Sequence, residues 1–274
     1  MTDIQVVILD LFKEISSLCE KRNITYYAIG GTCIGAVRHK GFIPWDDDLD
    51  IAIPIEQFDY FLTCVKTELP DYIQVYPNEN ANQFERVFFK IVDTRTTFIE
   101  DLRKNKVDLY SGVFVDVMPL SGIPTNEGAR KRFCHKLTML NWLHFAKCHP
   151  DSLTSVKRII ALSLKFFPYS FFKNIFYKEI CKYPLSSSKK TGYVWSTNLG
   201  SLIFENEWFQ EGIKLPFEDT TINCPVCYDK YLTKQFGNYM KLPPREKRVN
   251  GHPAFVDLKK TYRYYQKHPD KILI

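Results

Sequence analysis

Apolar residues at Ile4, Ile8, Leu11, Ile15 and Leu18 recur at spacings of three and four, which predicts an amphipathic helix over residues 3–21. Thr25-Tyr26-Tyr27-Ala28-Ile29 reads as a short buried strand that stops at Gly30-Gly31. A short helix is expected from Thr32, which can cap it, to about His39. Gly41 and Pro44 then break the chain. Asp48 to Ile53 alternates as a second strand, Pro54 ends it, and Glu56 to Leu69 is helical again. Three more strand-like runs follow at Ile73–Tyr76, Arg86–Val92 and Val113–Met118.

The pattern changes after Pro124. From Glu127 to Tyr183 the periodicity is helical, interrupted at Pro150 and Pro168. After Gly192 short strands are expected at Trp208-Phe209 and Ile213-Lys214-Leu215, then a helix from Tyr228 to Phe236. Helices alternating with strands predict an α/β (α+β) fold. The anatomy expected is a core over residues 1–124, a helical insertion over 125–191 and a C-terminal segment over 192–274 that returns to the core, all in one unit.

Composition narrows the class. Of 274 residues, 45% are hydrophobic and 25% charged, enough apolar material for a true core and too much for a disordered chain. The net charge of +6 suits anionic ligands or a membrane surface but falls short of a nucleic-acid footprint. The longest basic block, Arg130 to Arg132, is only three residues long, so no nucleic-acid partner is expected. No signal peptide is seen, and no uncharged apolar run approaches the ~18 residues of a spanning helix. The eight cysteines then read as reduced thiols of a cytoplasmic protein. Cys224-Pro225-Val226-Cys227 lacks a second ligand pair at zinc-finger spacing and is read as coincidental.

The chemistry concentrates between Ile29 and Ile51. Residues i and i+2 of a strand face the same way, so Asp48 and Asp50 point together while Leu49, Ile51 and Ile53 enter the core. Two such carboxylates repel unless a hard cation such as Mg²⁺ lies between them. Upstream, Gly30, Gly31 and Thr32 end a strand and open a helix, a place where backbone amides can face a phosphate. The competing reading, a solvated acidic turn beside a tight bend, weakens because both features fall within about twenty residues and lead into an apolar strand. A calcium loop built on Asp46, Asp48 and Asp50 fails its own rules, with Ile51 at position six and Gln57 at position twelve.

The block from Tyr26 to Pro54, above all Gly35-Ala36-Val37-Arg38-His39-Lys40-Gly41-Phe42-Ile43-Pro44-Trp45-Asp46-Asp47-Asp48, strongly resembles the LicD family of bacterial phosphocholine transferases related to fukutin. The likeness continues through Phe89–Asp93, Thr96–Glu100, Val113–Leu120, Leu215–Thr220, Tyr228–Leu232 and Leu242–Pro244. It implies a nucleotidyltransferase-fold core with a mixed sheet. It also implies that Asp48, Asp50 and a third carboxylate on a later strand hold a catalytic metal, Mg²⁺ or alternatively Mn²⁺. Asp116 matches that third position; the alternative is an aspartate capping a strand end before Pro119. Asp93 and Asp108 are weaker matches, expected in exposed polar surroundings. Arg38 is either a phosphate clamp or a helix-end charge. Lys90 either reaches the donor's phosphates or is an edge-strand lysine. Trp45 either walls the pocket or packs. Glu218 and Asp219 match a motif without an assigned step, and His252 reads as a surface histidine.

The resemblance implies transfer of phosphocholine from CDP-choline to a sugar hydroxyl of a cell-surface glycan precursor (teichoic acid or lipopolysaccharide), releasing CMP. Alternatives are another CDP-linked donor such as CDP-ribitol or CDP-glycerol, nucleotidyl transfer, and a non-enzymatic glycan-binding relative. A lipid-linked acceptor would bring the protein to the inner face of the plasma membrane. The aromatic and basic stretch 156–183, with Lys157, Arg158, Lys165, Lys173, Lys178 and Lys182, is the expected peripheral membrane contact.

Overall fold

The computed structural model describes residues 1–76, 88–100, 110–148, 153–168, 170–194, 202–248 and 254–272. Helix α1 (Asp3–Arg22) has the predicted register, with Ile8, Leu11, Ile15 and Leu18 buried. Its start is fixed by a capping box between Thr2 and Gln5, and its end by Asn23 in the left-handed region. Strand β1 (Tyr27–Ala28) is shorter than expected, and the chain turns at once into a helix, α2 (Gly30–Ile34). That helix widens into a π turn over Gly35–His39, then the chain enters β2 (Asp50–Pro54) and α3 (Ile55–Glu68). Three strands follow: β3 (Ile73–Tyr76), β4 (Phe89–Ile99) and β5 (Ser111–Ile123).

Strand β5 is the axis of the fold. All thirteen of its residues are buried, which only a strand covered on both faces can sustain. It runs parallel to β2 and antiparallel to β4, so the sheet is mixed, and β1 and β3 extend it on either side. Beyond β5 come three helices, α4 (Glu127–Cys148), α5 (Ser155–Ser163) and α6 (Ser170–Ile180). The chain then rejoins β5 through β6 (Lys190–Gly192), which pairs with Ser121–Ile123, and β7 (Ile203–Glu205).

The rest of the chain folds back over the core. Strands β8 (Ile213–Phe217) and β9 (Thr220–Cys224) form a hairpin, α7 (Tyr228–Phe236) packs on α2, and β10 (Phe255–Asp257) pairs with β4 before α8 (Tyr262–Lys267). Among the described residues, eight strands make one sheet. The strand expected at Trp208-Phe209 is instead the end of a 3₁₀ turn, Asn206–Trp208, since β7 has just ended and the chain must reverse into the hairpin. Part of the run Arg86–Val92 lies outside the described residues, as do Asp108 and His252.

The aromatic stretch 156–183 divides in two. Phe172, Phe176 and Ile180 of α6 are core residues, whereas Val156, Ile159 and Phe166 face outward. Among the described residues, no helix is long and apolar enough to cross a membrane.

Candidate active site

Register brings the site together. Asp50 of β2 lies opposite Asp116 of β5, and Asp116 lies opposite Lys90 of β4. Directly opposed residues share a sheet face, so three adjacent strands present Asp50, Asp116 and Lys90 as one row. Asp116 sits mid-strand, because β5 continues through Pro119 to Ile123; the strand-end reading of this residue is therefore set aside. The Asp116 amide donates to the Leu49 carbonyl at 2.9 Å, which ties the residue between Asp48 and Asp50 to the central strand, although β2 itself begins only at Asp50 and Asp48 lies ahead of it.

The glycine turn abuts the same row. Gly30 has φ +55°, a backbone conformation that glycine adopts without strain, and a Cβ there would lie 3.6 Å from Asp50 Oδ2. A Cβ on Gly31 would come within 2.9 Å of Asp46 Oδ2. The turn therefore carries no side chains where the carboxylates approach it. Thr32 does not cap the helix, which begins two residues earlier at Gly30; its hydroxyl accepts the Asp50 amide at 2.8 Å and so sets the strand carrying Asp50. The Gly30 amide donates to the Tyr231 hydroxyl of α7 at 2.9 Å, so the first amide of the expected phosphate cradle is already engaged. Tyr231 in turn bonds Tyr193, which reaches Gln235.

Asp46, which the sequence pattern leaves outside the metal pair, belongs to the cluster. Its position is fixed by the buried Gln5 of α1, whose Nε2 donates to the Asp46 carbonyl at 2.7 Å and the Ile43 carbonyl at 3.2 Å. Burial, a hydrogen bond and like charge from Asp48, and Asp47 beyond it push the Asp46 carboxyl up to about 8. Burial, then the charges of Asp48, Asp116 and Asp46, hold Asp50 well above the ordinary carboxylate range, with Lys90 opposing the rise. Excess negative charge of this kind is what a hard divalent cation relieves, and carboxylate oxygens are its preferred ligands. Among the described residues no three His, Cys, Asp or Glu side chains stand gathered as a metal-holding group, and Asp48 is engaged with Asp46.

Lys90 is not at an edge. Strand β4 is flanked by β5 on one side and by β3 and β10 on the other, and the side chain is buried. Its Nζ lies 3.8 Å from Asp116 Oδ1, 3.3 Å from Glu100 Oε1 and 3.1 Å from the centre of the Phe114 ring. Asp93, three residues on, falls on the opposite face. Contrary to expectation it is buried rather than exposed, because Arg95 holds both its oxygens, the closest contact being 2.7 Å.

A basic cluster flanks Trp45. Arg38 Nη1 donates to the Tyr239 carbonyl at 2.6 Å, and its Nε donates to His39 Nε2 at 2.9 Å. The His39 ring meets Trp45 edge-on at 6.2 Å, and the Arg248 guanidinium stands 5.5 Å from the Trp45 ring centre. Burial and then the facing charge of Arg248 lower the pKa of Arg38. Two neighbouring guanidinium charges beside Trp45 repel each other, a repulsion that an anion relieves. Arg248 lies some two hundred residues from the rest of the cluster, and no local spacing announces it. The alternation of Asp46 with Asp48 and Asp50 could have announced Asp46.

Glu218 and Asp219 are structural. The Glu218 carboxylate accepts the Phe42 amide at 3.0 Å, its own amide donates to the Lys40 carbonyl at 2.8 Å, and Asp219 pairs with Lys13 at 2.7 Å. Gly41 leaves room for the carboxylate, since a Cβ there would overlap it. Replacing Glu218 with Ala should lower stability by about 1 kcal/mol through the abandoned Phe42 amide, read from urea midpoints at constant slope. An unchanged midpoint would mean the clamp is idle. Of the cysteine pair, Cys224 is a buried free thiol beside that of Cys33, whereas Cys227 stands at the head of α7.

Comparison with known proteins follows the same residues. Residues 23–149 match the LicD/FKTN/FKRP nucleotidyltransferase-domain family. Over 255 residues, 90% of this chain, the sequence is 30% identical to the lipopolysaccharide cholinephosphotransferase LicD of Haemophilus influenzae and covers 94% of it. An uncharacterized protein of Rickettsia typhi is 51% identical over 51 residues, 19% of this chain and 16% of that protein. The solution structure of the antibiotic-resistance factor ANT(2'')-Ia aligns over 65% of this chain and 95% of its own at 15% identity, with a TM-score of 0.28, too loose a likeness to bear on function. From the near full-length match to the Haemophilus protein, the chain belongs to the LicD family.

Proposed function

We propose that this protein transfers phosphocholine from CDP-choline to a hydroxyl of a cell-surface glycan precursor, releasing CMP. The observation that carries the reading is the in-register row of Asp50, Asp116 and Lys90 beside a side-chain-free glycine turn. Its support in kind is the 30% identity to a lipopolysaccharide cholinephosphotransferase along almost the whole chain.

Asp48, Asp50 and Asp116 would hold Mg²⁺, with Mn²⁺ as the alternative. The ion would neutralise the donor's diphosphate and polarise the phosphorus under attack. The chain's own groups supply the rest. Asp116 accepts the proton of the attacking sugar hydroxyl as its oxygen bonds to the choline-bearing phosphorus. The bond from that phosphorus to the bridging oxygen breaks, and the electron pair leaves with CMP. Lys90 offsets the charge gathered on Asp116, and the Arg38 and Arg248 guanidinium groups take the departing phosphate. Thr32 and Gln5 are positioning residues, since each acts through an aspartate's backbone.

The test is incubation with Mg²⁺, a glycan acceptor and a panel of CDP-linked donors, with CMP release as the readout. CDP-choline should give the fastest release, and chelation should stop it. Equal or faster release from CDP-ribitol or CDP-glycerol would remove choline and leave a CDP-donor transferase. Pyrophosphate release from a nucleoside triphosphate would replace the reading by nucleotidyl transfer.

A further inference from the structure

We propose that α5 and the turn behind it form a docking surface for an anionic lipid bilayer. Helix α5 turns Ala161 inward, and Leu164 of the turn behind it is buried too, while Val156 and Ile159 of the helix and Phe166 of the turn are 67%, 68% and 92% exposed. Val156, Ile159 and Ile160 follow the i, i+3, i+4 spacing of one helix face, turned away from Ala161. A helix needs one such stripe to join its own core; the second stands exposed among the described residues. Phe166 caps this face from the 3₁₀ turn Leu164–Phe166, beside Phe167 and Phe171, whose rings stack at 4.8 Å. The base is firm, because the buried Lys147 of α4 donates to the Leu164 carbonyl at 2.8 Å.

Charge selects the occupant. Between Asp151 and Glu179 the sequence holds no acidic residue, and Lys157 and Arg158 stand exposed on the helix that carries the apolar face. A second copy of the chain would bring like charge against like, whereas anionic phospholipid headgroups complement it. The surface is narrower than the stretch 156–183. Lys173 is withdrawn from it, lying 4.3 Å over the Phe89 ring, and Lys182 is paired with Glu179 at 2.8 Å. Exposed aromatic and aliphatic side chains with flanking cations suit a surface that rests on a bilayer.

The test is co-sedimentation of the full chain with vesicles of phosphatidylglycerol and phosphatidylcholine, against phosphatidylcholine alone, at low and moderate salt. The wild type should sediment with the anionic vesicles and be released as salt rises. The double substitution Lys157→Glu/Arg158→Glu should weaken binding by well over tenfold, given roughly fivefold for each basic group near such a surface. Phe166→Ser, at a side chain that touches almost nothing, should weaken it about tenfold with the melting temperature unchanged. CMP release with a water-soluble acceptor should be unaffected in both variants, which separates this proposal from the transferase reading. Wild type left in the supernatant at low salt, equal binding to neutral vesicles, or variants that bind like wild type would overturn it. So would a dimer in sedimentation velocity that Phe166→Ser dissolves, which would assign the face to a second copy.

Discussion

Asp50→Asn is expected to lose turnover by roughly 10³-fold or more while the protein stays folded, and Asp48→Asn to behave alike. On the proposed function, the loss follows from withdrawing one oxygen ligand from the metal site, an effect worth about 4 kcal/mol in the transition state. The retained fold follows from the opposite sign of the ground-state energetics. Asp50 is held well above the ordinary carboxylate range by burial and by three neighbouring carboxylates, so without a cation the fold favours its neutral form, which an amide replaces at little cost. The melting temperature should therefore stay level or rise by a few degrees. Turnover near the wild-type rate in either purified variant would sink the metal-site reading, and an unfolded variant would contradict the electrostatic account of the row.

The second large effect is on stability against pH. The Asp46 carboxyl is raised from 3.8 to about 8, so the folded chain keeps a proton that the unfolded chain has released. That contribution is fully present below the unfolded value near 4 and is lost as pH climbs through about 8. In a chelating buffer the melting temperature should fall between pH 5 and pH 8.5, by roughly 5–10 °C for a cost of a few kcal/mol. Saturating Mg²⁺ should flatten the slope, since a bound cation supplies the positive charge that the proton supplied. Asp46→Asn removes this contribution and leaves that of Asp50 in place. A melting temperature independent of pH in chelator, or a slope undiminished in Asp46→Asn, would rule this out.

How far the sequence could be read depended on whether the determinants were local. The register of α1 and the bounds of α7 follow from spacing within a few turns, and both are as expected. The short strands β6, β7, β9 and β10 escaped notice because each exists by pairing with a partner, far off in the chain for β6 and β10, and three to five residues leave no periodic trace. Strand β5 proved longer than Val113–Met118 because Ser121, Gly122 and Ile123 pair with β6, which no local pattern announces. In the site, Asp50 was legible from alternation, and the family likeness pointed to Asp116. Thr32 was misread as a helix cap, since the partner of its hydroxyl, the Asp50 amide, lies eighteen residues downstream.

The bond between the Gly30 amide and the Tyr231 hydroxyl spans 201 residues of chain, as does that from Arg38 to the Tyr239 carbonyl. Such contacts form late, because a long loop must close before they can be made. On the ribosome, every aspartate of the row is synthesised long before the tyrosine that sets the turn beside them. The nascent protein therefore carries its carboxylates in an unfinished cleft, and the cleft is completed only after the chain has been made past Tyr239. Truncated products, released before that point, would be inert toward the donor rather than wasteful of it.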